Sequence, residues 1–116
     1  MSRGNSFDAD QLTDAAYYIL LSLLVPRHGY GIMSYIENLT AGEVTIGPAT
    51  AYTLIKKLQD NKCIVLSGEE DNDRRKTYRI TEAGQRLLHK EIERRQKMAD
   101  HGTQALQSAR EEEHNG

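Results

Sequence analysis

The sequence predicts a mainly α-helical domain with a small β-hairpin and a long final helix, and three features predict it. Apolar residues recur at helical spacing in residues 14–25, 30–40, 48–61 and 82–110. Two runs rich in β-branched and aromatic residues, CIVLSGEE and KTYRIT, flank a short charged turn. The last helical stretch carries sparse apolar positions that drift along one side, unlike the dense apolar pattern of the first.

Thr13 is a good N-cap for the first helix, with Asp14 in its first turn. Ala16, Ile19, Leu20, Leu23 and Leu24 follow the i, i+3, i+4, i+7, i+8 rule, which places this helix at the centre of the core. Pro26 and Gly29 end it. In the second helix Ile32, Met33, Ile36 and Leu39 form the buried stripe, and Gly42 stops it. EVTI, residues 43–46, is long enough for one bridging strand. Pro48 suits the first position of a third helix. Its buried arc is Ala51, Leu54, Ile55 and Leu58, and Asn61 is expected to take the left-handed conformation that ends it. Asn72 and Asp73 suit the turn of the hairpin. Thr81 caps the last helix.

The chain has 116 residues, one domain's worth, and 38% hydrophobic against 28% charged residues marks it as globular rather than disordered. No apolar run approaches the roughly 18 residues of a membrane span. The opening MSRGNSFDADQ does not read as a secretory signal. Cys63 is the single cysteine, so no intramolecular disulfide forms. A cytoplasmic protein without membrane contact is expected. Net charge is −2 and the pI about 6.1, so any nucleic-acid binding must rest on local positive charge.

The order helix, helix, short strand, helix, hairpin, long helix is that of a winged helix-turn-helix with a C-terminal extension. We divide the chain into a flexible arm (1–11), the winged unit (12–81), a dimerisation helix (82–110) and a disordered tail (111–116). The third helix turns Thr50, Tyr52, Thr53, Lys56 and Lys57 away from its apolar arc, and these can donate to base edges and phosphates. Thr50, Tyr52 and Thr53, near its N-terminal half, are the expected base readers. The hairpin tip switches from Glu69, Glu70, Asp71 and Asp73 to Arg74, Arg75 and Lys76. That basic half is expected on DNA phosphate. Of Tyr30 and Tyr35, one should pack and the other touch the DNA backbone.

Three segments, HGYGI (28–32), GPATAYTLIKKLQDNKCI (47–64) and DRRKTYRITEAGQRLL (73–88), together resemble the PadR family of bacterial transcriptional regulators, in particular its small subfamily. The resemblance spans about residues 15–90. It implies a homodimeric repressor whose recognition helix reads palindromic promoter DNA and whose last helix dimerises. It also implies, for some members, release from DNA by a small aromatic molecule. Relatives commonly carry a larger aliphatic residue at the position of Ala51, proline at that of Thr53 and glycine at that of Lys62. Leu87, Leu88, Ile92 and Met98 are the expected dimer contacts, on the view that the winged core is complete by Thr81. Tyr17 and Tyr18 are candidates to stack a planar ligand, or else to seal the interface between chains.

His28 reads as a turn residue holding the entry to the second helix. His89 and Glu93 alone make no metal site, and no cofactor is expected. No nucleophile elbow, phosphate loop or zinc-protease pair is present, so the chain does not read as an enzyme. The competing reading is a winged-helix module that binds another protein. That would place exposed Leu, Met or Phe on the third helix, where Thr, Tyr and Lys stand instead.

Overall fold

A computed structural model describes residues 11–68 and 76–115. The hairpin tip, with Glu69 to Asp73, Arg74 and Arg75, therefore lies outside the described residues, as does nearly all of the N-terminal arm. The elements are α1 (Asp14–Ser22), β1 (Arg27–His28), α2 (Gly29–Leu39), α3 (Pro48–Asp60), β2 (Ile64–Leu66), β3 (Thr77–Ile80) and α4 (Glu82–Asn115).

Helix α1 starts as expected, with the Thr13 hydroxyl accepting from the Ala16 amide at 3.2 Å. It stops at Ser22, three residues before Val25, because Pro26 has no N–H to offer the Ser22 carbonyl, which accepts from Arg27 Nε at 2.6 Å instead. Ala16, Ile19, Leu20 and Leu23 are buried, and Ile32, Ile36, Ile55, Leu58, Ile64, Tyr78 and Ile80 close around them. The helical periodicities thus give most of the core, with α1 at its centre, but Leu24 and Leu39, expected on the buried stripes, are exposed because each lies beyond or at the end of its helix.

The third strand is not the expected one. EVTI forms no strand; Val44 and Ile46 pack on the core by their side chains, and the Val44 amide donates to the Thr40 hydroxyl at 3.0 Å rather than to a ladder. The sheet instead recruits Arg27–His28, antiparallel to β3 with Arg27 opposite Tyr78, and its strand order is β1-β3-β2. Two residues between Pro26 and Gly29 carry no strand pattern of their own. Only β3, some fifty residues away in sequence, supplies the ladder.

Helices α2 and α3 end alike. After α3 the Cys63 amide reaches back to the Leu58 carbonyl and the Lys62 amide to that of Gln59, both at 2.9 Å, which is a Schellman motif. The left-handed residue in it is Lys62 (φ 63°). Asn61, expected there, keeps a negative φ and donates from Nδ2 to the Lys57 carbonyl at 2.8 Å. The pattern repeats after α2, with Ala41 left-handed and the Gly42 amide on the Glu37 carbonyl.

Helix α4 departs from expectation twice. It continues through Asn115, so residues 111–115 are helical rather than a frayed tail. Residues 104–113, QALQSAREEE, are mostly good helix formers, and no proline or glycine follows before Gly116 to stop the helix. Nor is the core complete at Thr81. Leu88 is buried in it, and Leu87 and Ile92 pack against it, which leaves Met98 as the exposed member of the expected dimer set.

One turn beyond Leu88, Glu91 is fully buried yet charged. Arg94 grips it with two bonds (Nε–Oε1 3.1 Å, Nη2–Oε2 2.6 Å) and Arg95 adds Nε–Oε2 at 2.6 Å. The hydrogen bonds from Arg94 lead in holding the Glu91 carboxyl below the usual carboxylate range, while burial opposes them.

Two outcomes are expected. Lys62→Gly should stabilise the fold by about 0.5–1 kcal/mol, because glycine occupies the left-handed region without the Cβ clash. Thermal unfolding should register this as a rise of roughly 2–6 °C. Because folding lowers the pKa of Glu91, its contribution is present above the unfolded carboxyl pKa and is lost as pH falls through the folded one. The melting temperature of Glu91→Gln should therefore fall less steeply than that of the parent below about pH 4.3, as thermal melts at stepped pH would show.

Candidate nucleic-acid interface

The outward face of α3 is polar. Ala49, Thr50, Thr53, Lys56 and Asp60 are exposed, while Ala51, Ile55 and Leu58 are buried beneath them. Lys57 is half-buried. Lys56 lies 3.9 Å from Asp60, and both side chains are well exposed. Such a pair is worth about 0–1 kcal/mol and leaves the lysine available to a phosphate. A shallow depression lined by Ala49, Thr50, Thr53 and Leu54 marks the N-terminal half of the helix.

Tyr52 sits differently from the two threonines. Its hydroxyl and ring lie against Gly29, the first residue of α2, so closely that a Cβ there would overlap them. This explains the glycine that precedes Tyr30: only a bare Cα lets the α3 tyrosine lie across the start of α2. Tyr52 is consequently half-covered, at 49% exposure, with its hydroxyl at the N-terminus of α2. Tyr30 is 78% exposed at the same end.

Of the two α2 tyrosines, Tyr35 is the one that packs. Arg27 stacks on its ring, 4.2 Å from guanidinium carbon to centroid. Arg27 therefore faces inward, bound to the Ser22 carbonyl and Tyr35, and orders the strand that carries it. His28 ties the start of α2 to the hairpin, with Nδ1 3.3 Å from the Lys76 carbonyl and 3.4 Å from Thr77 Oγ1. Lys76 is half-buried at the base of the wing, and Arg79 is exposed in β3. Arg79 was missed by sequence reasoning, although the alternation Tyr78-Arg79-Ile80 points it away from the core.

Thr50, Thr53, Lys56, Tyr52 and Tyr30 thus belong to the α2–α3 corner, with the wing joined to it through His28. The described residues contain no group of three or more metal-ligating side chains. No described helix is long and apolar enough to cross a membrane.

Residues 19–90 match the family model described as "Transcriptional regulator PadR-like family". The chain belongs to that family. Its members are DNA-binding transcriptional regulators, not enzymes. The chain is similar to a transcriptional regulator from Clostridium thermocellum, at 28% identity and TM-score 0.66 over 76% of this chain and 89% of that one. A PadR family regulator from Eggerthella lenta is 25% identical, with TM-score 0.62 over 79% and 80%. Bacillus subtilis PadR, solved in complex with operator DNA, is 26% identical, with TM-score 0.56 over 66% of this chain and 45% of that one. No curated protein matches the sequence.

Two other places bear on a PadR-like regulator. Tyr17 and Tyr18 meet edge to face at 5.4 Å, and one face of Tyr17 is covered by Arg95, 4.3 Å from its centroid. A separate apolar groove of about 200 Å³ runs between α1 and α4, lined by Leu21, Leu24, Gln85, Leu88, His89 and Ile92.

The Gly29–Tyr52 contact is testable by a double-mutant cycle. Gly29→Ala should cost about 1–3 kcal/mol through overpacking. The same change in a Tyr52→Ala background should cost much less, because the opposing ring is gone. Thermal unfolding of the two single variants and the double variant gives the coupling.

Proposed function

We propose that this PadR-family regulator is a homodimeric repressor that binds a palindromic operator. The observation that carries DNA reading is the outward face of α3, whose exposed threonines and lysine suit hydrogen bonding and phosphate contact rather than an apolar protein interface. A helix of this size at the α2–α3 corner suits a major groove, and the operator complex of the Bacillus subtilis relative supports the same use.

We assign base edges to Thr50 and Thr53. Tyr52 leans on Gly29, so its hydroxyl, with Tyr30 and the start of α2, is better placed for phosphate than for bases. Lys56, Lys57 and the wing cations Arg74, Arg75 and Lys76 add phosphate contacts, which fix register without reading sequence. Gel shifts on the protein's own promoter region, against random duplex, test the whole reading. Thr53→Ala should lose about 1–3 kcal/mol on the operator and little on random DNA. Tyr52→Phe should weaken both alike. No preference of the parent protein for its promoter would favour the protein-binding module instead.

Dimerisation through α4 is supported by what it leaves uncovered. Every residue from Gln96 to His114 is exposed, including Met98 at 55% and Leu106 at 66%. A lone helix of that length gains little stability in water without a partner to cover its apolar side. The α1–α4 groove, bordered by exposed Leu24, offers a second apolar surface to the partner. A small aromatic effector fits that groove better than the Tyr17 ring, whose face Arg95 already covers. Deleting residues 97–116 spares the core and should yield a folded monomer. Its operator affinity should drop on the order of 10²-fold, as the second half-site contact is lost. Sedimentation and gel shift on the same truncated protein check both parts.

A further inference from the structure

Arg95 is the last half-buried position on α4; from Gln96 to His114 every residue is exposed. Arg95 uses its guanidinium in several directions at once. Nε bonds Glu91 Oε2 at 2.6 Å, Nη2 donates to the Leu12 carbonyl at 3.1 Å, and Nη1 meets Asp14 Oδ1 at 2.9 Å. Its plane lies over Tyr17. Three of these four partners belong to the start of α1 or the residues just before it. Glu91, the fourth, is fully buried on α4 and is held from its other side by Arg94.

Packing alone does not call for such a cluster. A buried carboxylate carries a desolvation cost, and apolar residues of similar volume commonly serve stability as well or better. What a planar fork on the buried Glu91 carboxylate and the Leu12 carbonyl adds is direction, since its donors must be met at set angles, while the Asp14 side chain is 85% exposed and adds little to this.

Direction matters here because α4 is a lever. Beyond Arg95 it extends to Asn115, roughly 30 Å at 1.5 Å per residue. A tilt of about 10° at the base would displace the far end by about 5 Å, or roughly one and a half base-pair steps at 3.4 Å each. We propose that Arg95 is a positioning residue that sets the angle at which α4 leaves the winged unit, and thereby the half-site spacing the protein accepts. The spacing part rests on the homodimer reading above; the angle within one chain does not.

The test uses Arg95→Met, which keeps bulk and apolar packing, and Arg95→Lys, which keeps charge and loses the fork. Each is assayed on operators whose central spacer is lengthened or shortened by one to three base pairs, and on a single half-site. The parent protein should prefer one spacer by about tenfold or more. Both variants should accept neighbouring spacers within about threefold, with half-site affinity unchanged within about twofold. In parallel, spin labels at Asp60→Cys and Gln107→Cys, on a Cys63→Ala background and diluted with unlabelled chain, report the angle within one chain. That distance distribution should broaden in both variants. A spacing preference and a distribution as narrow as those of the parent, in either folded variant, would overturn the proposal. So would a variant that dissociates to monomers, because Arg95 would then be an interface residue. If the parent itself sediments as a monomer, the homodimer reading fails, and the distance distribution still decides whether Arg95 holds the angle.

Discussion

The arrangement of everything after α3 hangs on the carbonyl oxygen of Cys63. It accepts the Thr81 amide at 2.9 Å; the Thr81 hydroxyl, 3.0 Å away, shares its proton with the nearer Lys62 carbonyl at 2.7 Å, and the same hydroxyl caps α4 by accepting from the Gly84 amide at 3.0 Å. Gly84 has no side chain because a Cβ there would fall on that carbonyl. One point thus joins the end of α3, the residue before β2, the residue after β3 and the first turn of α4. Each bond contributes only about 0.5–1.5 kcal/mol. Their value lies in over-determination: α3 cannot turn without carrying the wing and α4 with it.

That rigidity suits a reader of DNA. The outward face of α3 gains its orientation from the buried arc of Ala51, Ile55 and Leu58. The start of α2 gains its place from the Tyr52 ring on Gly29 and from His28 on the wing. None of these contacts is strong alone. Together they hold three separate surfaces in one frame, as recognition of a duplex requires, while the net charge of −2 leaves attraction to DNA to local cations.

At the other end of the molecule the same economy does not hold. Glu91 is a charge buried on a helix that could have carried a leucine there. Its partners are two arginines of its own helix, and one of them continues to the backbone at the start of α1. An apolar contact would tolerate sliding and tilting of α4. A hydrogen-bonded charge, with the carboxyl kept ionised, does not. On the homodimer proposal, a fixed α2–α3 corner and a fixed exit angle of α4 would serve one requirement, that two copies meet one stretch of duplex.

Much of this was legible in the residues themselves. Helical periodicity in 14–25, 30–40 and 48–61 identifies α1, α2 and α3, and most of their apolar positions form the core, Leu24 and Leu39 excepted, because burial of one helix face is a local pattern. Thr13, Pro48 and Thr81 mark helix starts for equally local reasons. The outward face of α3, with Thr50, Thr53 and Lys56, is legible as the complement of its buried arc. The tertiary structure decided the rest. Arg27–His28 is a strand only because β3 lies beside it, and EVTI is not one because its Val44 and Ile46 serve the core without a ladder. Lys62 rather than Asn61 takes the left-handed turn because the backbone bonds to Leu58 and Gln59 fix the position, whatever side chain stands there. Tyr52 belongs to the start of α2, and Glu91 and Arg95 to the start of α1, through contacts between distant segments. Local spacing determines which face of an element is buried; only the assembled chain determines what each exposed or charged side chain meets.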